Sequence, residues 1–428
     1  MARELGLTLI VTDHHQFGPR LPLAAALVHP ALPGTAYPFH GLCGAAVAFK
    51  LAWALGQRAS GERRVSERMR KFLLEAVGLA AIGTVADVVP LIDENRILVR
   101  HGIASLAFSA PCGVAALAKL AKLGDKPQWD GEDLAFALSP RLNAAGRMGQ
   151  ADIGVELLIT DDPVRAEKLA TYIEELNVQR QALERSMSRS AEKQAKERFD
   201  PQRDAALVLA DHDWHAGIIG IVAGRLSDKY QIPAVVVALD SLGTKPGIGS
   251  ARSVPGFNLH DALQECGDLL DSCGGHAAAA GLKVAEPNLP AFRKAFCEIA
   301  RRSLGDGDRI GELKIDAETS FSALTKNCVE QIESLAPFGH GNARPVLCAS
   351  HVRLAGPPKK IGATGRHLAM TFDQGGVKIR GVAFGGGEWE EPLAAAKGDI
   401  AIAFRPVINR YHGRTTVEVH LTDWREEE

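Results

Sequence analysis

The stretch Val11-Thr12-Asp13-His14-His15 stands at the end of a short apolar run, residues 7–11. That run contains Leu7, Leu9 and Ile10 and predicts a buried β-strand. In open parallel sheets, ligands bind just beyond the carboxyl ends of the strands. The aspartate and the two histidines therefore stand where a ligand is expected, and their side chains suit a metal ion or a phosphate. A solvated turn without a ligand explains this stretch equally well when it is taken alone.

Short apolar strands and apolar helices alternate on either side of this stretch. We predict strands at residues 7–11 and 24–28, and helices at residues 44–55 and 69–81. This alternation is typical of a parallel sheet covered by helices. The first domain is therefore predicted to be α/β.

The composition limits the class of protein. With 428 residues, of which 46% are hydrophobic, the chain is expected to form two to four domains. Seven scattered cysteines without a Cys-x-x-Cys pair argue against a disulfide framework and a zinc ribbon. The net charge of −2 means that nucleic acid could be bound only by local basic patches. Neither a membrane span nor a signal peptide is predicted, so a cytoplasmic location is expected.

A long helix is predicted in the middle of the chain. Thr160-Asp161-Asp162-Pro163 supplies capping side chains and a proline for the first turn, and apolar residues then recur at helical spacing. Some 35 residues would span about 50 Å, which is long enough to connect two domains. We therefore predict a connector helix at residues 161–199, between a first domain at residues 1–160 and a second α/β domain at residues 200–305.

The second and the last domain differ in their hydrophobic pattern. Residues 205–210 and 234–239 are predicted strands of the α/β type, whereas residues 377–382 and 417–421 alternate apolar and polar side chains. Such alternation predicts half-buried strands, and we interpret residues 306–428 as a small β-barrel.

Basic and aromatic residues are interleaved in the predicted barrel. Residues 351–387 contain six lysines and arginines and one acid. Phe372, Phe384 and Tyr411 stand among these charges, as a surface that stacks single-stranded bases would require. A solvated strand face is the simpler interpretation of the charges alone. The residues predicted to bind nucleic acid are Lys359, Lys360, Arg366, Lys378, Arg380 and Tyr411.

Three further polar groups suit phosphate or metal chemistry. Asp87 follows an apolar helix, and for a single acid a helix end without a further role is the simpler interpretation. Residues 139–149 place two arginines and an asparagine among small residues in a predicted loop, and arginine matches phosphate oxygens in pairs. Gly249-Ser250-Ala251-Arg252-Ser253 is a predicted turn, for which phosphate binding and a purely structural role are equally favoured.

Cys273-Gly274-Gly275-His276 precedes a run of four alanines. The glycines expose backbone N–H groups, and the alanines are predicted to begin a helix whose positive end faces an anion. His276 would then point at the same ligand. A tight turn before an alanine helix explains the glycines but not the histidine, so an anion site is favoured.

In this order along the chain, the motifs resemble the RecJ branch of the DHH phosphoesterase superfamily over nearly the whole sequence. Thr12-Asp13-His14-His15 is similar to the signature triplet of that family, residues 83–87 to its later aspartate motif, and residues 139–149 to its arginine–asparagine loop. Residues 274–281 resemble the hallmark of its DHH-associated domain, and residues 335–342 the beginning of its OB-fold. The resemblance implies an α/β fold: a partial DHH domain with a parallel sheet, the connector helix, a DHH-associated domain and a C-terminal OB-type barrel.

The resemblance also implies a function. It implies a single-stranded-DNA-specific 5′→3′ exonuclease of DNA repair and recombination, which uses Mn²⁺ or Mg²⁺ at a two-metal site and releases 5′-mononucleotides. Single-stranded DNA is the implied partner, with a helicase and a single-strand-binding protein as further candidates and no membrane. The implied metal ligands are His14 and Asp87, and the implied catalytic residues are Asp13, His14, His15, Asp87 and His276. The implied phosphate-binding residues are His15, Arg141, Asn143, Arg147, Ser250, Arg252, Gly274, Gly275 and His276, with Ser250 and Arg252 at the terminal 5′-phosphate.

One departure from the family pattern bears on activity. Members of the family carry an Asp-x-Asp motif and another aspartate before the triplet, and the given sequence begins shortly before the triplet. Mn²⁺ and Mg²⁺ prefer about six ligands, of which His14 and Asp87 supply two. We therefore interpret the sequence either as an N-terminally incomplete protein or as one that has lost activity. Poor hydrolysis by this polypeptide and an unpaired edge on the first strand are expected.

Two alternative functions remain open at this point. A small-substrate phosphoesterase of the same superfamily would not need the basic barrel that follows residue 305. A non-catalytic protein that binds single-stranded DNA, or a scaffold, is favoured by the missing acids. The retained His14, His15, Asp87 and His276 argue against that second alternative.

Overall fold

The computed structural model of the chain describes residues 2, 4–18, 20–124, 126, 128–200, 204–305, 312–362, 364–396, 398–411 and 414–427, and for residues 411 and 414 it describes the backbone alone. The chain divides into two compact units. Unit 1 contains Met1–Ala110, Lys126–Phe136 and Leu313–Glu428, and unit 2 contains Pro111–Asp125 and Ala137–Glu312.

The helices largely follow the apolar periodicity of the sequence. The α-helices of the described residues are α1 (Gly44–Ser60), α2 (Glu67–Ala86), α3 (Asp93–Ser109), α4 (Cys112–Leu120), α5 (Ser139–Arg147), α6 (Ala151–Ile159), α7 (Pro163–Arg198), α8 (Ile219–Tyr230), α9 (Leu259–Glu265), α10 (Leu289–Leu304), α11 (Lys326–Glu333) and α12 (Glu390–Ala395). A π-helix spans Asp133–Leu138. Within the described residues, no individual helix is long and apolar enough to span a membrane. Helices α3 and α4 reach that length and apolar composition only together, with a bend of 86° between them.

The strands form three sheets. They are β1 (Ile10–Thr12), β2 (Ala26–Val28), β3 (Leu207–Asp211), β4 (Ala234–Ala238), β5 (Gly247–Arg252), β6 (Ser272–Gly275), β7 (Ala279–Val284), β8 (Ala317–Glu318), β9 (Leu347–Leu354), β10 (Lys359–Ile361), β11 (His367–Gln374), β12 (Val377–Ala383), β13 (Ile400–Tyr411) and β14 (Arg414–Glu426). In the described part of the chain, β1 pairs with β2, β3 to β7 form the second sheet, and β8 to β14 form the third.

The first strand exists but is more exposed than the sequence predicts. Strands β1 and β2 run parallel, with Val11 opposite Leu27. Leu9 is 40% exposed and Ile10 is 60% exposed, so the prediction of a buried strand was wrong. Parallel strands are buried only when elements cover both faces of their sheet. A sheet of two strands with three residues each is too small to be covered in this way. Among the described residues β1 pairs with β2 alone, so its other edge is open, as expected.

Helices α1, α2 and α3 pack closely in unit 1 because glycines stand at their contacts. A β-carbon on Gly83 of α2 would collide with the Ala45 β-carbon of α1, and one on Gly102 of α3 would lie 2.5 Å from the Val77 backbone oxygen. At the end of α2, the backbone N–H of Asp87 donates to the Gly83 carbonyl at 3.0 Å. The close packing therefore fixes where Asp87 emerges from the helix.

The predicted long helix is confirmed as α7, which has 36 residues. The Asp162 side chain caps it by accepting a hydrogen bond from the backbone N–H of Val164 at 2.9 Å. Its first part packs against α4, α5 and α6, where Leu169 and Ile173 are buried. Its second part packs against β3 and α8, where Met187 belongs to an apolar core. Within unit 2, α7 thus joins a group of helices to the second sheet.

The predicted arginine–asparagine loop at residues 139–149 is instead the helix α5. Pro140 stands in its first turn, directly after the π-helix Asp133–Leu138. Ala144 and Ala145 are fully buried on one side of the helix. The prediction of a loop was therefore wrong. Alanine favours the helix, and these small side chains are packed inside the protein instead of leaving space for a ligand.

The second sheet has the order β3-β4-β5-β7-β6. Strands β3 and β4 are parallel, as the strand–helix–strand pattern predicts, and β5, β7 and β6 are antiparallel to their neighbours. One face packs on α9 and α10, where Phe292 and Phe296 are fully buried. The second α/β domain thus contains a mixed sheet.

Two predictions about this sheet were wrong. Residues 249–253 are not a turn, because Gly249 to Arg252 lie in β5 opposite β7. The alanine run after His276 does not begin a helix, because residues 279–284 form β7 and pair with both β5 and β6. Pairing on both sides satisfies the backbone groups of β7, and this outweighs the helix propensity of alanine.

The third sheet closes on itself in unit 1. Strand β9 pairs with β13 and also with β11, and β12 and β14 complete the circuit from β11 to β13. The alternation predicted for residues 377–382 and 417–421 is realised in β12 and β14, since Ile379, Val419 and Leu421 face a common core. Phe372 also belongs to this core and is fully buried. The prediction that Phe372 stacks on bases was therefore wrong, because it shares the inward face of β11 with Leu368 and Met370.

Candidate functional site

Asp13, His14 and His15 form a compact turn directly after β1. The Asp13 Oδ1 atom accepts hydrogen bonds from the backbone N–H of His14 at 2.7 Å and from that of His15 at 3.2 Å. It also accepts one from His15 Nδ1 at 2.7 Å. This side-chain bond from His15, together with the two backbone bonds, lowers the pKa of Asp13 to about 2. The carboxylate is therefore charged at neutral pH and fixes the orientation of the His15 ring.

His14 and Asp87 are brought together from the two segments that the sequence analysis selected. The His14 Nε2 atom lies 3.5 Å from the Asp87 Oδ2 atom, and their side chains are 16% and 42% exposed. The His14 ring lies on the beginning of α1, because a β-carbon on Gly44 would be 3.5 Å from its Cδ2 atom. One divalent cation, at about 2.1 Å from each ligand atom, can contact both atoms at this separation. The carboxylate suits both Mn²⁺ and Mg²⁺, and the imidazole suits the transition metal Mn²⁺ better than the harder Mg²⁺.

The His15 ring remains accessible beside this pair. Its side chain is 67% exposed, and its centroid lies 4.3 Å from that of the His14 ring. Since Nδ1 donates to Asp13, Nε2 is the ring atom that is available to a ligand. His29, directly after β2, supports the turn, because its Nε2 atom donates to the His15 carbonyl at 2.8 Å. The turn can thus present one imidazole nitrogen to a phosphate.

In unit 2, the predicted residues of α5 have different surroundings. Arg141 is paired with Glu174 of α7, with 2.6 Å between Nε and Oε2. Asn143 is exposed and lines an open cavity of about 470 Å³ together with Arg147. Arg147 donates to the Gly217 carbonyl at 3.1 Å. Burial is the main cause that lowers the pKa of Arg147, and the nearby charge of Arg180 adds to it.

Ser250 and Arg252 of β5 form a joint donor group. Arg252 Nη1 donates to the Ser250 Oγ atom at 3.1 Å. The start of α8 lies directly on this pair, because a β-carbon on Gly220 would be 3.0 Å from Ser250 Oγ and 3.1 Å from Arg252 Nη2. Burial lowers the pKa of Arg252, and the charge of Arg147 contributes second. Two partly buried guanidinium groups that repel each other favour an anion between or beside them.

Sequence reasoning missed an acid whose charge acts on Arg147. Glu184 of α7 is only 4% exposed and contacts both Arg180, at 2.5 Å, and Arg225 of α8. The spacing of Arg180 and Glu184 by four residues on a predicted helix was a usable sign of that pair. Nothing in the sequence indicated Arg225, which only the tertiary structure brings to Glu184.

The glycine–histidine motif lies in the hairpin between β6 and β7. Gly275 has a φ of +140°, and a β-carbon there would lie 2.5 Å from the Ala279 carbonyl oxygen, so glycine is required. The backbone N–H of His276 donates to the Ala279 carbonyl at 2.8 Å. His276 and Gly274 are exposed. The motif therefore presents an accessible imidazole on a tight hairpin.

The predicted basic residues of the barrel are exposed. Lys360 pairs with Glu390 at 2.9 Å, and Arg380 pairs with Glu418 at 2.9 Å. The remaining exposed cations of this group are Lys359, Arg366 and Lys378. The Tyr411 side chain lies outside the described residues. Phe384 is 64% exposed, and its ring contacts the rings of His367 and His420 at centroid distances of 5.5 and 4.9 Å.

Comparison with known families identifies two segments of the chain. The model of the RecJ OB domain matches residues 315–423, and the model of the DHHA1 domain matches residues 204–302. The predicted C-terminal OB-type barrel and the DHH-associated α/β domain are thereby confirmed as parts of the fold.

Known proteins match over nearly the whole chain. The sequence is 37% identical over 425 residues to the single-stranded-DNA-specific exonuclease RecJ of Bacillus subtilis, covering 99% of this chain and 51% of that protein. It is 33% identical over 437 residues to RecJ of Dickeya dadantii, covering 98% of this chain and 73% of that protein. The chain thus spans about half the length of the first relative.

Solved structures show the same relationship. The fold matches the crystal structure of RecJ from Thermus thermophilus in complex with Mn²⁺ with a TM-score of 0.83 and 32% identity, covering all of this chain and 60% of that one. The Mg²⁺ complex of the same protein matches with a TM-score of 0.80, again at 32% identity, covering 99% of this chain and 60% of that one. From this agreement in sequence, fold and domain content, we conclude that the chain belongs to the RecJ family.

Proposed function

We propose that the chain carries the site of a metal-dependent exonuclease that degrades single-stranded DNA from its 5′ end. The observation that carries this proposal is the separation of 3.5 Å between His14 Nε2 and Asp87 Oδ2, next to the accessible His15 ring. The RecJ exonucleases among the relatives and the Mn²⁺ and Mg²⁺ complexes among the matching structures support it. The domain division at residues 160, 199 and 305 is part of the proposal.

His14 and Asp87 are the proposed ligands of Mn²⁺ or Mg²⁺. The ions of a two-metal site, when bound, lower the pKa of a water molecule and neutralise charge on the phosphate. Asp13 holds the His15 ring through its bond to Nδ1, so that Nε2 meets a non-bridging phosphate oxygen without reorganisation. The Gly274-Gly275-His276 hairpin and the donors Arg141 and Asn143 are the other proposed contacts of the phosphate chain.

The Ser250–Arg252 group is the proposed pocket for a terminal 5′-phosphate, with Arg147 as its neighbour. Replacing Arg252 by alanine is expected to weaken the use of 5′-phosphorylated strands about tenfold more than that of 5′-hydroxyl strands, because a charged hydrogen bond to phosphate is lost. Competition between the two kinds of strand in one reaction measures this ratio. The control is R353A, which removes an exposed arginine that pairs with Asp399. An equal loss on both kinds of end would contradict the assigned role.

The barrel is the proposed binding surface for the strand. Lys359, Lys360, Arg366, Lys378, Arg380 and Tyr411 are the proposed contacts, and Phe384 takes the stacking role that the buried Phe372 cannot fill. Affinity from such contacts falls steeply with salt.

The test of the function uses a 3′-end-labelled single strand with a 5′-phosphate, in the presence of Mn²⁺. With the wild-type chain we expect the labelled strand to shorten stepwise from its 5′ end, at the low rate expected from the sequence. With H14A or D87N we expect no shortening. A duplex of the same sequence serves as the control for strand specificity. Equal Mn²⁺-dependent product from the wild type and D87N would contradict the proposed site. Tight binding of the strand without any shortening would favour the non-catalytic alternative.

A further inference from the structure

The segment that follows Asp87 is held in an unusual backbone conformation. Val88 has a φ of 57°, in the left-handed region, and its side chain is 65% exposed. A β-branched residue rarely adopts this conformation, because its branched side chain collides with the backbone. Such a conformation persists only where surrounding contacts hold it, and it is frequent near functional sites. The contacts that hold Val88 therefore also determine where the Asp87 carboxylate points.

His340 holds this segment at both ends. Its Nδ1 atom lies 3.0 Å from the Val88 carbonyl oxygen, so this nitrogen carries the hydrogen and donates it. The His340 carbonyl oxygen in turn accepts a hydrogen bond from the backbone N–H of Leu91 at 2.6 Å. One residue thus bridges the two ends of the turn between Val88 and Leu91. His340 belongs to residues 335–342, the segment that resembles the beginning of the OB-fold.

Two glycines allow this close approach on either side of His340. A β-carbon on Gly339 would lie 2.7 Å from the Leu91 Cδ1 atom. Gly341 has a φ of +74°, and a β-carbon there would lie 3.1 Å from the Pro90 β-carbon. Larger residues at either position would push the 335–342 segment away from the turn.

The 335–342 segment is itself braced. Asn342 donates through Nδ2 to the carbonyl oxygens of Leu335 at 3.0 Å and Pro337 at 2.8 Å. Arg96 of α3 donates to the same Leu335 carbonyl at 2.6 Å. His340 is therefore presented by a loop whose own shape is fixed, which is what positioning another segment requires.

A second side chain ties the turn to the His14 side of the site. Asn95 of α3 is fully buried, and its Nδ2 atom donates to the carbonyl oxygens of Pro90 at 3.0 Å and Gly41 at 2.6 Å. Gly41 lies three residues before Gly44, the first residue of α1, against which the His14 ring packs. The turn after Asp87 and the start of α1 thus share one anchor, while His340 supplies the anchor from the barrel domain.

We infer that His340 is a positioning residue that holds the turn after Asp87 so that the Asp87 carboxylate stays beside His14. It contacts neither ligand atom and acts only through the Val88 and Leu91 backbone. The inference rests on the proposed function for the link to metal binding, because His14 and Asp87 are proposed ligands. The bracing of the turn itself does not depend on that function.

The experiment compares variants of the full chain by their affinity for Mn²⁺ alone and by amide hydrogen exchange of the metal-free protein. H340L keeps much of the side-chain volume and removes the donor. H340N restores a donor, because the asparagine Nδ2 atom takes the place of the imidazole Nδ1 atom. V88G allows the turn to adopt its φ without strain. H212A is the matched control, since His212 also bonds a backbone carbonyl, that of Asp240 at 3.1 Å, in unit 2.

We expect H340L to lower the affinity for Mn²⁺ about tenfold, as substitutions of residues that orient metal ligands do. H340N should keep an affinity within about threefold of the wild type, because the donor that orients the turn is restored. In the V88G background H340L should lower the affinity much less, because glycine adopts the φ of this position without the His340 contact. H212A should have no effect. A loss of equal size in the Val88 and V88G backgrounds would indicate a general structural defect and overturn the inference.

Hydrogen exchange separates this inference from the metal assignment. In metal-free protein, H340L should speed the exchange of the Leu91 amide, whereas H212A should not. Unchanged exchange in H340L would overturn the bracing role. If exchange changes as expected while H14A and D87N bind Mn²⁺ like the wild type, the bracing stands and the metal assignment fails.

Discussion

The affinity of the chain for Mn²⁺ is expected to fall on the order of 100-fold when Asp87 is replaced by asparagine, because a ligand should cost at least as much as the residues that orient it. The substitution keeps the size and shape of the side chain but removes the negative charge that lies 3.5 Å from His14 Nε2. A neutral amide oxygen is a much weaker ligand for a hard divalent cation than a carboxylate. Titration of the metal-free chain with Mn²⁺, followed by the electron paramagnetic resonance signal of the free ion, measures this change.

The control for this prediction is D93N. Asp93 is an exposed carboxylate at the beginning of α3, with a φ of 43° that asparagine adopts as readily as aspartate. D93N therefore makes the same change in net charge six residues along the chain from Asp87. We expect it to leave the Mn²⁺ affinity within about twofold of the wild type, because screened charges interact weakly. Equal losses for D87N and D93N would mean that the ion responds to overall charge and is not ligated by Asp87.

The free energy of unfolding is expected to fall on the order of 3 kcal/mol when Gly113 is replaced by alanine, since a buried β-carbon without space forces the backbone to move. Gly113 is buried near the start of α4, and a β-carbon there would collide with the Leu157 carbonyl oxygen at the end of α6. A backbone atom at this contact cannot rotate away as a side chain would. Chemical denaturation followed by circular dichroism measures the loss.

The control for Gly113 is G146A. Gly146 also lies in a helix of unit 2, and a β-carbon there has nothing within 4 Å. Alanine has the higher helix propensity, so this variant should be unchanged or up to about 1 kcal/mol more stable. Similar destabilisation by both substitutions would show that the collision at Gly113 is not the cause.

Local patterns in the sequence were enough for most helices and for the strands of the barrel. The capped and periodic segment at residues 161–199 is the helix α7, and the alternation in residues 377–382 is the strand β12. These predictions succeeded because helical and strand periodicity are properties of consecutive residues. The alanine run after His276 misled for the same reason, since its local preference for helix was outweighed by pairing with β5 and β6.

Exposure and partnership could not be predicted in this way. Ile10 is exposed and Phe372 is buried, the reverse of what their roles in the sequence analysis required. Arg141 pairs with Glu174, although the motif around it gave no sign of a counter-charge. Each of these outcomes depends on a residue that is distant in the sequence, and a single sequence contains no information about which distant residue that is.

The residues alone thus determined the types of side chain available for chemistry, the order of the domains and the family to be expected. Only the tertiary structure decided that His14 Nε2 and Asp87 Oδ2 lie 3.5 Å apart, and that His340 bonds the backbone on either side of the turn that follows Asp87. The physical reason is that chemical identity is carried by each residue separately. The distance between two segments depends on how helices pack at their glycines, how strands pair and how loops are braced. These contacts involve residues from the whole domain.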